Sequence, residues 1–308
     1  MTKPVPPPLL NGPFTRREAA EAGASTSLLR GSRFVRVHPT VWVHRDHAMS
    51  DHDHVVAAAK AMPEQALLSH ASRLFTLGLE VARVRPVHFI VQGDLHLALD
   101  GIVVHRTAVL PPRDDIGVTP AAALVQCAES LSLASTVAAG DWLVHRGHTT
   151  VEELVATARL HRWRPGARQT LRVVHLVDGR SRSMPESWLR LRLRAAALPT
   201  GVPNGPVMLG GELLATGDLV LDEYHLVLEY EGRQHAEDAY QFGVDIERYR
   251  RLRRAGWGYL QVVASDLRRP RALVERVHDE LRRRGYDGPG PHFGAAWHAL
   301  DRPIRVGR

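Results

Sequence analysis

The hydrophobic pattern changes period several times along the chain, and each change predicts an element. Thr15 followed by Glu18 is a capping-box spacing, and Gly23 closes a short helix behind it. Ala24, Ser25 and Thr26 open a second helix through Leu28 and Leu29, ending near Gly31. From Phe34 to His44 apolar and polar residues alternate around a turn at His38-Pro39, which predicts a β-hairpin. Helices are expected over 55–62 and 65–78, strands over 87–92, 95–99 and 102–105, and helices over 121–130 and 135–145. Farther on, residues 183–194 form an amphipathic helix with Pro185 in its first turn, and 207–214 is strand-like. The apolar runs Leu219–Leu221 and Leu226–Leu228 flank the polar segment Asp222–His225, a second hairpin. A helix opening at Ala236 and ending at Gly256, a strand over 257–263 and a final helix over 270–284 complete the pattern.

This order divides the chain into a Pro-rich disordered tail (1–12), a small winged helix-turn-helix (13–50), an α+β middle domain (51–164), an α/β domain with a mixed central sheet flanked by helices (165–286), and a C-terminal tail (287–308). A single cysteine, Cys127, excludes a disulfide framework and a thiolate zinc site. Its apolar neighbours mark it as a core residue. The N-terminus lacks an apolar signal core, and no run reaches the roughly 18 apolar residues of a membrane span. A cytoplasmic protein without membrane association is therefore expected.

The net charge is +7, and only Lys3 and Lys60 are lysines, so the basic charge is almost all arginine. Arginines crowd 162–194 and 248–284 and flank the second hairpin in sequence. A basic frame around an acidic pocket suits a phosphate backbone approaching a metal ion. The hairpin supplies the acids. A symmetric turn between Glu223 and Tyr224 sets Asp218 opposite Glu229, and Glu231 shares the strand face of Glu229. Carboxylates at the roughly 4.5–5.5 Å of cross-strand neighbours repel one another and call for a cation, a shared proton or solvent. A divalent metal is the expected cation, with Asp218, Glu229 and Glu231 as its ligands. Arg233, Arg248 and Arg251 are candidate phosphate contacts.

Two family resemblances sharpen these expectations. Phe14-Thr15 with Ala19 and Gly23, then Leu28-Leu29-Arg30, then the hairpin Val35–Trp42, resembles the N-terminal winged helix of AbiEi-type antitoxins, as Leu67–Phe75 resembles their middle region. Those proteins are transcriptional repressors of toxin–antitoxin systems. The resemblance implies DNA as a partner, read by Ser25, Thr26, Ser27 and Arg30 of the second helix, and also a toxin or regulatory partner. Over about 120 residues, Asp218, Glu229, Glu231, Gly232 and His235, then Asp245 and Arg248, then Ala255-Gly256-Trp257, resemble the very-short-patch-repair (Vsr-like) endonuclease domain of the PD-(D/E)XK superfamily. That likeness implies a deoxyribonuclease dependent on Mg²⁺ (or Mn²⁺), with His235 assisting proton transfer. Asp218, Glu229, Glu231 and His235 would form the catalytic centre, with Glu186, Asp245 and Arg248 in support. Glu231 stands where the superfamily carries lysine. A non-catalytic repressor that keeps the fold is the competing reading.

Other polar groups carry less. His44, His47, Asp51, His52, Asp53 and His54 form a histidine- and aspartate-rich connection without the spacing that closes a zinc site. Ser69, His70 and Asp141 read as capping and packing groups. Glu186 and Arg190, one helical turn apart, are spaced to pair.

Overall fold

The computed structural model describes residues 4–231 and 250–306. It is a mixed α/β protein whose three mixed or antiparallel sheets are flanked by helices, in two compact units, 1–127 and 128–308. Among the described residues no helix is long and apolar enough to cross a membrane.

The first unit begins with β1 (Phe14–Thr15), α1 (Arg16–Glu21), α2 (Thr26–Leu29), β2 (Phe34–His38) and β3 (Val41–His44). Both halves of the Thr15/Glu18 capping box form. The expected hairpin is present, and β1 joins it to give the order β1-β3-β2. Phe14, Ala19, Ala24, Leu29 and Phe34 make its core, with the Phe14 and Phe34 rings edge-to-face at 5.4 Å. The segment expected as a disordered tail contributes to this core, because a 3₁₀ turn at Pro7–Leu9 buries Leu9.

The helix α3 (Asp51–Ala61) begins four residues before the expected start at Val55. Ser50 and Asp53 form a second capping box, so the histidine- and aspartate-rich stretch is partly the first helical turn rather than a connection. The helix expected over 65–78 is replaced by β4 (Leu67–Leu68) and the short α4 (His70–Phe75). The Ser69 amide donates to the His88 carbonyl, which draws 67–68 into the sheet, and His70 turns the chain with φ 52°. β5 (Val87–Gln92) and β6 (Ile102–Thr107) are parallel, and β4 is antiparallel to β5. The expected strand over 95–99 is instead part of the β5–β6 connection, with Leu95 and Leu99 packed on the core beside α3. α5 (Pro120–Cys127) ends the unit and buries Cys127.

In the second unit α6 (Leu133–His145) matches expectation, and two further helices, α7 (Val151–Leu160) and α8 (Ala167–Val173), follow. α9 (Met184–Ala195) is buried on two sides. Leu189 and Leu193, one turn apart, pack on the sheet, while Leu191 packs with α6, α8 and the C-terminal segment. The four-stranded sheet has the order β10-β9-β8-β7, from β7 (Val202–Leu209), β8 (Glu212–Leu221), β9 (Leu226–Glu231) and β10 (Gly258–Val263). The strand expected over 207–214 is thus the tip of a β7–β8 hairpin. Gly210 and Gly211 take φ 60° and 88°, as a two-residue type I′ turn requires, and Leu213 is 61% exposed, so its apolarity does not mark burial.

β7, β8 and β9 form an antiparallel meander, whereas β9 and β10 are parallel. α10 (Ala264–Leu267) leads into α11 (Pro270–Arg283). α11 buries Leu273, Val277 and Leu281 at four-residue spacing against the same sheet face as α9. The opposite face carries Val207, Val220 and Val227 under Leu252 and Trp257. The expected tail over 287–308 is also structured: α12 (Ala295–Ala299) puts Trp297 into the core, and Leu300 and Ile304 pack beside α6.

Candidate functional site

The second hairpin has the register expected from its sequence. Leu219 pairs with Leu228, Val220 with Val227 and Leu221 with Leu226, around a 3₁₀ turn at Asp222–Tyr224 and a left-handed His225. The next pair in this register would be Asp218 and Glu229. Instead of a further ladder bond, the Tyr230 amide donates to the Asp218 carboxylate at 2.8 Å.

The strand sides change hands at this point. Val207, Ala215, Val220 and Val227 belong to one cluster, although Ala215 and Val220 are an odd number of residues apart. Asn204, in β7 at the level of Asp218, has φ 45°. A Cβ added to Gly217 would lie 2.5 Å from Val227 Cγ1, 2.9 Å from Val220 Cγ2 and 3.5 Å from Glu229 Oε1. Gly217 therefore lets the Val220–Val227 pair and the Glu229 carboxylate close over the backbone. Glu229 is buried at 9% exposure, and alternation places Glu231 on its face, half-buried. Beside them, Gln261 of β10 is the parallel partner of Glu229.

Two acids thus share a face at the end of β9, and Asp218 stands level with the first. As a trio, however, Asp218, Glu229 and Glu231 do not form a group whose ligand oxygens all lie within 4.8 Å of one another.

Of the supporting residues only Glu186 lies among the described ones. Glu186 is buried, and its Oε2 accepts from the Arg182 amide at 2.9 Å and Asn204 Nδ2 at 2.7 Å, so it ties α9 to β7. It does not pair with Arg190. That guanidinium reaches Asp141 Oδ2 at 2.7 Å instead, because the face of α9 carrying Arg190 turns toward α6. Asp141 also accepts from the Asp178 amide at 2.7 Å. Its burial pushes the carboxyl up to about 6, against the downward pull of Arg190. It is a packing group, as expected, within a buried ion pair.

Arg251 is exposed at the β7–β8 tip with Leu213, Leu214 and Arg254. Leu214 is separated from Asp218 by roughly 13 Å of strand. Arg233, His235, Asp245 and Arg248 lie outside the described residues. In the first unit Ser25, Thr26, Ser27 and Arg30 are all exposed, with Arg16 donating to Thr26 Oγ1 at 3.2 Å.

A cluster outside the hairpin went unnoticed in the sequence. His70, His88 and His105 offer ring nitrogens that all lie within 4.8 Å of one another, alone in this among groups of three or more described histidine, cysteine and acidic residues. His70, read from sequence as a packing group, starts α4, while β5 and β6 supply the other two. The signal was present in the strand alternation. Val87 and Phe89 point to the core with Ile102 and Val104, which leaves His88 and His105 on the opposite face.

No family model matches the chain, and neither the curated proteins nor the solved structures contain a match.

Proposed function

We propose that the protein binds DNA through an N-terminal winged helix and carries a metal-dependent endonuclease-like domain of the PD-(D/E)XK, Vsr-like type that hydrolyses DNA phosphodiester bonds. The observation that carries this reading is the hairpin register, which sets Asp218 level with Glu229 and keeps Glu231 on the face of Glu229, on a strand parallel to β10. The order helix, antiparallel meander, then a parallel fourth strand supports the superfamily assignment. In the N-terminal part, two short helices between β1 and the β2–β3 hairpin of one three-stranded sheet, with the polar side chains of α2 exposed, support the winged-helix reading.

Carboxylate oxygens suit a hard divalent cation such as Mg²⁺ or Mn²⁺. Asp218 and Glu229 would hold it, and it would supply acidification of a water and stabilisation of charge on phosphate oxygens. The neighbouring valines pack beneath Leu252 and Trp257, beside the buried Glu229.

Supercoiled, mismatched and single-stranded DNA incubated with Mg²⁺ or Mn²⁺ test the proposal. Cleavage by wild type should be lost in Asp218→Asn and Glu229→Gln.

A second reading is a non-catalytic repressor or antitoxin-like protein that keeps the fold and acts with a toxin or regulatory partner. The engagement of Asp218 by the Tyr230 amide, and a glutamate where lysine is usual, favour it. Absence of cleavage on every substrate, together with salt-sensitive promoter binding that Arg30→Ala weakens, would select this reading.

A further inference from the structure

We propose that His70, His88 and His105 form a zinc site with three imidazole ligands and one open position. The site lies in the first unit and is independent of the hairpin carboxylates. First, the ligand nitrogens already lie within 4.8 Å of one another, on side chains that are half-buried and so open to entry from solvent. Three nitrogens each about 2.0–2.1 Å from a tetrahedral zinc would be about 3.3–3.4 Å apart, a closing of at most about 1.5 Å.

Second, the backbone beneath the rings is held firmly. His88 donates its amide to Ser72 Oγ at 2.9 Å and accepts the Ser69 amide at its carbonyl at 3.0 Å, which locks the start of α4 against β5. The His70 amide donates to Gln126 Oε1 of α5 at 3.0 Å, and β6 lies in parallel register with β5. Ser69 Oγ is 2.9 Å from His70 Nδ1, an outer partner that orients the ring and leaves Nε2 for a metal.

Third, the donor set selects the ion. Imidazoles suit zinc and its neighbours rather than Mg²⁺ or Ca²⁺. Burial holds all three rings below the ordinary histidine pKa, so they are neutral ligands at neutral pH without proton loss. His105 stacks on His70 at 3.9 Å and its Nε2 meets His88 Nδ1 at 2.9 Å. Zinc would exchange that stack and that hydrogen bond for coordinate bonds. Three protein ligands leave a fourth position for water or for a small anion.

The test uses the full chain, stripped with a chelator and titrated with Zn²⁺ against a chromophoric competitor, with Co²⁺ as the spectroscopic probe. Wild type should take up one tight equivalent of zinc and give the intense visible absorption of tetrahedral Co²⁺. His88→Gln and His105→Gln, on regular strand backbone, should each weaken that equivalent by about 100-fold or more, whereas the exposed His52→Gln should leave it unchanged. The metal-free variants should keep the wild-type circular dichroism. A tight equivalent that survives both substitutions assigns the zinc elsewhere and overturns the proposal. So does a wild-type Co²⁺ spectrum without tetrahedral absorption, a result that needs no variant to fold. Neither outcome bears on Mg²⁺-dependent cleavage, which is read separately.

Discussion

Truncating Asp141 should destabilise the second unit far more than a typical surface change, while removing its partner as well should restore most of the loss. Asp141 is fully buried on α6, and its two oxygens accept from Arg190 and from the Asp178 amide, both at 2.7 Å. At that separation the Coulomb attraction is about 6 kcal/mol for an effective dielectric of 20. Against it stands a desolvation penalty of several kcal/mol for each ion. The rise of the Asp141 carboxyl to about 6 says that burial outweighs the attraction. The intact pair is therefore close to neutral in net stability, but half of it is not.

Asp141→Ala would leave the Asp178 amide without its acceptor. It would also leave a guanidinium that is 10% exposed bonded only to the Leu176 carbonyl, with its Nε already lacking a partner. The expected cost is about 3–5 kcal/mol, a fall in melting temperature of roughly 6–20 °C for a unit of this size. The combined change Asp141→Asn with Arg190→Met nearly keeps volume, removes both charges and leaves an amide oxygen to accept from the Asp178 amide, so it should lie within about 1 kcal/mol of wild type. Urea unfolding, followed by the fluorescence of Trp142 on α6 and Trp188 on α9, measures both. A loss below about 1 kcal/mol in Asp141→Ala, or a double variant as unstable as the single one, would refute the reasoning.

Two further outcomes follow from the same kind of accounting. Gly217→Ala drives a Cβ to within 2.5 Å of Val227 Cγ1, on a stiff β-branched side chain, and should cost about 1–3 kcal/mol. Adding Val227→Ala should cost less than the two single losses summed, and a strictly additive cycle would show that the close approach is not the cause. Burial, then the charges of His105 and His88, hold His70 down to about 3, below the 6.5 of an ordinary histidine. The unfolded chain gains a proton near pH 6.5 that the folded chain refuses, so stability is full above that pH and falls as pH drops toward 3. The slope is at most about 1.4 kcal/mol per pH unit, roughly 2 kcal/mol between pH 7 and pH 5 for metal-free protein. His70→Asn, which tolerates the φ of 52° there, should flatten the profile; an unchanged slope in urea unfolding would remove His70 as its source.

Local chemistry was legible in the sequence wherever the interaction spans a few residues. The Thr15/Glu18 box, the hairpin at 34–44, the amphipathic faces of α9 and α11, and the register of the β8–β9 hairpin are all set by side chains near one another in the chain. The level placement of Asp218 and Glu229 follows from the same symmetric turn, whereas the turn does not bring the three carboxylates within reach of one point. The β7–β8 turn carries its own Gly210-Gly211 signal, but the apolar residues on either side have the pattern of one strand, since an exposed hairpin tip can be as apolar as a buried strand. Tertiary structure alone decided the partner of Arg190, where α6 offered a buried carboxylate and Glu186 turned to Asn204. It also decided that Asn204 and Gly217 would switch strand sides next to Asp218, and that residues 67–68 would join a sheet. The histidine triad belongs to the same class. Its members come from a helix start and two parallel strands, so their convergence depends on long-range pairing that no local period encodes.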